Sequence, residues 1–333
     1  MDVAAKAGVS LATASRAMTG RDGISKELAL HVQSIAAELG YVANAHARSL
    51  AGGVATSIGL VVHEIGDPYF AEIASGVLRV AADRSRLVQI SHADRTPASE
   101  LQQVRMMRSH LVGAIIIAGS GYTDTSLESA LARELRDYEH DGGRVAAIGR
   151  HDLPVDAVLP DNEAAGYSLG RHIRDLGHHR IGVVCGPALL NTVSDRLSGF
   201  LRAMEDTGLN TGRLSLCTGE FTREGGVSST YELLAKDPGL TAIVALSDAM
   251  AVGVLHALRE RGVRVPDKIS VAGIDDITLA ADVAPSLTTV RLPMSTMGAL
   301  AVELILLPPA SRPRRKHTGH ELVVRDSTCP APR

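Results

Sequence analysis

The chain has 333 residues, a formal net charge of −3, only 3% aromatic residues and no tryptophan. No apolar run reaches the roughly 18 residues of a membrane span, and the first residues lack a basic-then-apolar leader, which points to the cytoplasm. Cys185, Cys217 and Cys329 are far apart and lack metal-ligand spacing, so neither a disulfide framework nor a metal cofactor is expected.

The first elements are short and helical. Val3, Ala4 and Ala7 make an apolar stripe, Gly8 can end the first helix, and Val9 plugs the turn. Ser10 is an N-cap for a second helix over Leu11–Met18, with Ala14, Ala17 and Met18 inward and Thr13, Ser15 and Arg16 outward. From Asp2 to Gly20 this reads as a helix-turn-helix, whose exposed hydroxyls and arginine suit phosphates and base edges. An ordinary helical hairpin is the competing reading. A third helix runs from about Ser25 to Leu39, capped by Ser25, with Leu28, Val32, Ile35, Ala36 and Leu39 at helical spacing and Gly40 ending it. Charge helps little: Lys6, Arg16, Arg21, Lys26 and Arg48 face Asp2, Asp22, Glu27 and Glu38, so one headpiece is nearly neutral. Two headpieces on one duplex would double the phosphate contacts, and a homodimer is therefore expected.

The motifs Asp2-Val3-Ala4, Ala7-Gly8-Val9-Ser10, Thr13, Ser15-Arg16, Leu39-Gly40-Tyr41, Asn44 and Ala47-Arg48-Ser49-Leu50 resemble the LacI/GalR family of bacterial transcription regulators. The resemblance runs through nearly the whole chain. It implies that the second helix enters the major groove of operator DNA, with Leu11 and Ala12 at the base-reading positions. Both can pack on a thymine methyl but donate no hydrogen bond. Arg16 is then the candidate for guanine, and Thr13, Ser15 and Asn44 for phosphates. The resemblance also implies a hinge helix over Ala45–Ala51, including Ala47, that folds on the minor groove with Leu50 as a wedge between base pairs. Two departures stand out. Only Met1 precedes Asp2, where the family has several residues including a helix cap, and Thr19 replaces a common asparagine.

Beyond Gly52-Gly53, apolar strand-like runs alternate with helical stretches: Ile58–Val62, Leu87–Ser91, Val112–Ala118, Val145–Ile148, Ile181–Cys185, Leu214–Thr218, Ala242–Leu246 and Ile269–Gly273. Alternating βα units imply doubly wound parallel sheets, an α/β core. The family resemblance implies a two-lobed, periplasmic-binding-protein-like arrangement of them. The expected organisation is a headpiece over 1–44, a hinge and linker over 45–56, and an effector-binding core over 57–333. Lobe 1 would take about 57–158 and 289–318, and lobe 2 about 159–288 and 319–328. Leu287–Pro293 reads as an extended link, Ser295–Leu307 as a helix returning to lobe 1, Ser311–Lys316 as a basic loop, and Glu321–Arg325 as a last strand in lobe 2.

Ligands of such folds sit at the carboxyl ends of strands, between lobes. Tyr69 and Phe70 follow the first core strand and could form an apolar wall, or pack at a helix start. By the resemblance, Asp161 (ending the first strand of lobe 2), Thr192, Arg196, Phe221, Ser247 and Asp275 are further effector positions. Arg196 offers a rigid fork for vicinal hydroxyls or a carboxylate. Asp161 and Asp275 could accept from sugar hydroxyls or cap the next helix. Ser247 replaces an asparagine common in the family, and Leu190 stands where the purine-binding branch carries an arginine, which argues against a purine and leaves a sugar or sugar derivative. No Walker A loop, nucleophile elbow or metal cluster is present in the sequence, so an enzyme is not expected. A transport binding protein would need export. A regulator of the same fold tuned by a partner protein is the alternative.

Overall fold

The computed structural model describes residues 2–19, 23–41, 57–209 and 214–332. The chain divides into an N-terminal unit and a core unit spanning Ser57–His110 and Ala114–Arg333. In the N-terminal unit, α1 (Asp2–Lys6), α2 (Leu11–Thr19) and α3 (Lys26–Glu38) enclose a small cluster of Val3, Ala4, Ala14, Ala17, Val32, Ile35 and Ala36. Gly8 takes φ +68°, which lets the chain leave α1 sharply. Ser10 Oγ accepts from Thr13 N at 3.1 Å and Ser25 Oγ from Leu28 N at 3.3 Å, so both expected caps form. Leu39 departs from the expected stripe: it is the C-cap of α3 and exposed, because the helical turn ends before it can face the cluster.

In the core, β1 (Ile58–Val62), α4 (Pro68–Asp83), β2 (Val88–His92), α5 (Pro97–Ser109), β3 (Ala114–Ala118), α6 (Ser129–His140), β4 (Arg144–Ile148) and β5 (Asp156–Pro160) come first. Then follow α7 (Asn162–Asp175), β6 (Ile181–Cys185), α8 (Asn191–Asp206), β7 (Ser215–Thr218), α9 (Arg223–Lys236), β8 (Ala242–Ala245), α10 (Asp248–Glu260) and β9 (Ser270–Asp275). The chain closes with α11 (Leu279–Asp282), β10 (Thr288–Arg291), α12 (Met294–Leu306), β11 (Arg315–Thr318) and β12 (Glu321–Val323). Two sheets result, in the orders β11-β5-β4-β3-β1-β2 and β12-β10-β9-β8-β6-β7. All pairings are parallel except β10 with β12. The inner strands β1, β3, β6, β8 and β9 are buried at every residue, since helices cover both faces, which is why they read as unbroken apolar runs.

Three expectations need correction. The strand ending before Asp161 belongs to the first sheet, not to lobe 2: β5 pairs with β4 and β11 through Pro160, and the chain crosses only afterwards. Thr288–Arg291 is a strand, β10, clasped between β9 and β12, not a plain link. The basic run is not a free loop either. Arg314 donates from N and Nη1 to Asp156 at 2.7 and 2.9 Å, Arg315 bonds the Val155 carbonyl, and β11 pairs with β5.

Three helix pairs pack closely, and each uses a glycine on both sides. A Cβ at Gly76 (α4) would fall 1.9 Å from Ser295 O and one at Gly298 (α12) 2.1 Å from Ile73 O. Gly166 (α7) and Gly199 (α8) stand in the same way against Arg196 O and Glu163 O, and Gly226 (α9) and Gly253 (α10) against Met250 O and Arg223 O. The first pair holds α12 on the first sheet. The other two belong to the second lobe and set the position of Thr192 and Arg196 on α8 and of Ser247, the cap of α10.

Candidate functional site: a cleft between the lobes and an exposed second helix

The cleft lies where β1, β3 and β4 of the first sheet and β6, β8 and β9 of the second end. It encloses about 470 Å³ of empty space, counting the open solvent at its mouth. Of the expected effector residues, Tyr69, Phe70, Thr192, Arg196, Phe221, Ser247 and Asp275 line it together. Asp161 does not. Its half-exposed carboxylate caps α7, accepting from Ala164 N at 3.3 Å, and lies 3.8 Å from His320. Asp161 sits at the crossover between sheets, so the capping alternative is the one realised.

Asp67 caps α4 by accepting from Tyr69 N at 3.0 Å, and Pro68 begins the helix with φ preset. This cap sends Tyr69 and Phe70 into the cleft, edge to face with centroids 5.1 Å apart. Burial pushes the Tyr69 phenol well above its usual range, with Arg196 opposing. Phe221 faces them from the second lobe. Ser247 spends its oxygen as the cap of α10, accepting from Met250 N at 3.3 Å.

Arg196 is almost wholly buried, and its fork is used by the protein. Nε donates to Asn162 Oδ1 at 2.9 Å, Nη1 to Leu246 O at 2.6 Å and Nη2 to Asp275 Oδ1 at 2.7 Å. Arg196 thus borders the cleft and at the same time ties α7, the end of β8 and β9 together, so the expected ligand role of its fork would be shared with these three bonds. Burial pushes the Asp275 carboxyl up, while the Arg196 guanidinium pulls it down. Behind it Asp248, with no exposure, accepts from Thr289 Oγ1 at 2.6 Å and Ile277 N at 3.1 Å, and burial raises it too.

Sequence reasoning missed His63, Asp67, Arg95 and Ser120, which also line the cleft. His63 directly follows β1 and is bound through Nε2 to the buried Glu100 of α5. A Cβ at Gly119 would collide with the His63 ring, so this strand end needs glycine. The signal for His63 and Glu100 was a polar residue just after an apolar strand and another inside a helix. Neither spacing says that they meet.

The lobes are joined directly. Thr123 N donates to Leu189 O at 2.8 Å, Asn191 N to Gly121 O at 2.9 Å, and Thr192 N to Ser120 Oγ at 2.8 Å. At the rim Arg150 and Asp195 pair, and Thr278 Oγ1 donates to Glu72 Oε1 at 3.1 Å.

In the N-terminal unit, Leu11, Ala12, Ser15 and Arg16 are exposed on α2, with Leu11 at 62%. Leu11 thus does not cover the edge of the small core. Thr13 is half-buried and shares a 2.8 Å hydroxyl contact with Ser10. Asn44, Ala47 and Leu50 lie outside the described residues. Among the described residues no helix is long and apolar enough to cross a membrane.

Residues 1–44 match the model for bacterial regulatory proteins of the lacI family, and residues 171–328 match a periplasmic binding protein-like domain. The HTH-type transcriptional regulator DegA of Bacillus subtilis is 31% identical over 345 aligned positions, covering 99% of this chain and 97% of its own. The HTH-type transcriptional regulator GalR of Escherichia coli is 30% identical, covering 94% and 89%. A LacI family transcriptional regulator from Enterococcus faecium, solved with bound ribose, superposes with a TM-score of 0.74 at 26% identity, over 83% of this chain and 100% of that one. With a helix-turn-helix unit, a two-lobed α/β core and relatives aligned over almost its full length, this chain belongs to the LacI family of bacterial transcriptional regulators.

Proposed function

We propose that the chain is a repressor of carbohydrate-related genes that binds a pseudo-palindromic operator as a homodimer in the cytoplasm and is released, or recruited, by a small sugar-like effector in the interlobe cleft. The observation that carries this reading is the cleft itself: aromatic rings from both lobes beside alternating carboxylates and guanidiniums, closed by direct bonds between the lobes. Flat apolar faces and paired donors and acceptors suit the C–H faces and hydroxyls of a sugar. The ribose-bound relative supports the same ligand class.

At the operator, Leu11 and Ala12 would meet thymine methyls, Arg16 a guanine, and Thr13, Ser15 and Asn44 phosphates. Ala47 and Leu50 would belong to a hinge folded on the minor groove. Effector binding would alter lobe closure and thereby the pairing of the two hinges, a coupling through a two-state element.

The test is fluorescence anisotropy on the DNA upstream of the protein's own gene, titrated with neutral sugars, sugar acids and sugar phosphates. Saturable binding to one palindromic site, changed at least several-fold by one compound, is expected. Binding to the site that no compound alters would move control to a partner protein; no site-specific binding at all would sink the regulator reading.

A further inference from the structure

We propose that Arg95 is the specificity-determining residue of the cleft and that the effector carries an anionic group, a carboxylate or a phosphate, which the Arg95 guanidinium receives between the Phe70 and Phe221 rings. This rests on the sugar-effector reading above and narrows it.

Arg95 reaches the cleft from an unusual backbone. Asp94 and Arg95 lie consecutively at φ +47° and +52°, just before Thr96 caps α5. Left-handed residues other than glycine carry strain, and strain of this kind collects at functional sites. The side chain is only 14% exposed. Its guanidinium carbon lies 6.0 Å from the centre of the Phe70 ring, in the first lobe, and 5.8 Å from that of Phe221, in the second. The cation therefore stands between aromatic walls from both lobes, at the point where a ligand would touch both.

Its bonding is incomplete. Among the described residues Arg95 makes one hydrogen bond, Nη2 to Asp67 Oδ2, at a long 3.2 Å. Asp67 is itself partly committed, since its other oxygen caps α4 at Tyr69 N. Burial also pushes the Asp67 carboxyl up, with Arg95 opposing. Arg196, the other guanidinium of the cleft, has every nitrogen engaged with Asn162, Leu246 and Asp275. The lining thus holds one guanidinium bonded to the protein at every nitrogen and one bonded at a single nitrogen. A guanidinium edge with two parallel N–H groups matches carboxylate or phosphate oxygens. The hydroxyls of a neutral sugar can accept from these donors too, but a carboxylate or phosphate oxygen bonds a guanidinium about twice as strongly.

The test uses the full chain and matched triplets: D-galactose, D-galacturonate and D-galactose 6-phosphate; D-glucose, D-gluconate and D-glucose 6-phosphate; and D-ribose, D-ribonate and D-ribose 5-phosphate. Affinities are measured by calorimetry for the wild type, Arg95→Gln and Asp67→Asn. In at least one triplet an anionic member should bind the wild type about tenfold or more tighter than the neutral parent, the scale of a charge-assisted hydrogen bond. Whether the acid or the phosphate wins identifies the source of the charge. Arg95→Gln should abolish that preference. Asp67→Asn keeps a capping side chain but removes the competing carboxylate, so the preference should widen; a folding defect could not produce that gain. A neutral sugar bound as tightly as its anionic forms, with Arg95→Gln without effect, would overturn the assignment of Arg95 and leave the sugar reading standing. Failure of every neutral and anionic compound to bind would remove the sugar reading and this inference with it.

Discussion

Arg150 and Asp195 join the two lobes by a forked ion pair, Arg150 Nε and Nη2 donating to the two carboxylate oxygens at 2.9 and 2.6 Å. Beside it, the carbonyl of Arg150 accepts from Gly121 N at 3.0 Å within the first lobe and from Asn191 Nδ2 at 3.0 Å across the seam. One side chain and one main-chain group of the same residue therefore hold the cleft shut at its rim.

Because the Arg150 side chain is 52% exposed, its pair is screened, and Arg150→Ala should cost no more than about 1 kcal/mol of stability. Its effect belongs to closure. Small-angle scattering of the variant should show a larger radius of gyration than wild type, with unfolding nearly unchanged. An unchanged radius would deny the pair any part in closing the lobes.

Arg196→Ala should behave in the opposite way. It strips a buried charge pair and leaves the Asp275 carboxyl without its partner, a loss of about 3–5 kcal/mol. Thermal unfolding should fall steeply, whatever happens to effector response. A variant as stable as wild type that merely ignores effector would restore Arg196 to a ligand-binding role.

Gly199→Ala tests the helix packing under the cleft. The added Cβ would fall 1.8 Å from Glu163 O, so α7 and α8 must separate, at a cost of about 1–3 kcal/mol. Gly319→Ala, which meets nothing within 4 Å, is the control and should unfold like wild type in a denaturant titration. Equal behaviour of the two would show that α7 and α8 can part freely.

In the N-terminal unit, Val32→Ala removes two methyl groups from a fully buried position, worth about 2 kcal/mol. The cluster it belongs to is small, so little stability is held in reserve. Operator affinity should drop while effector affinity, measured by calorimetry, holds. Loss of both together would mean that the mutation acts beyond its own cluster.

The pH dependence of the core should carry the mark of Asp248. Burial and the neighbouring Asp275 carboxyl raise Asp248 above its ordinary 3.8. A carboxyl raised in the folded state holds its proton longer than in the unfolded chain, so its stabilisation is complete below the ordinary value and is lost as pH climbs through the folded one. The melting temperature should therefore slope downward from pH 4 toward neutrality. Asp248→Asn should flatten that slope, and an unchanged slope would assign the dependence elsewhere.

Much of the local structure was written in the sequence. Ser10 and Ser25 cap the helices they precede, and Ile181–Cys185 is the strand its apolar run announced. These features depend on near neighbours: a hydroxyl three residues before an amide, or helices that cover both faces of a strand. Half of the residues lining the cleft were also placed: Tyr69 and Phe70 because they follow the first core strand, where doubly wound sheets gather ligands, and Thr192, Arg196, Phe221, Ser247 and Asp275 only through the family resemblance.

Other features depend on partners far along the chain. The sequence by itself determined the α/β class and the helix-turn-helix, since periodicity and capping act over a few residues. Only the tertiary structure decided that β5 stays in the first sheet, that β11 ties down the basic run, and that Arg196 is spent on Asn162, Leu246 and Asp275 while Arg95 is not. Those outcomes are set by which hydrogen-bonding groups the fold brings within 3 Å of each other, and an isolated residue type carries no record of the partner it will meet.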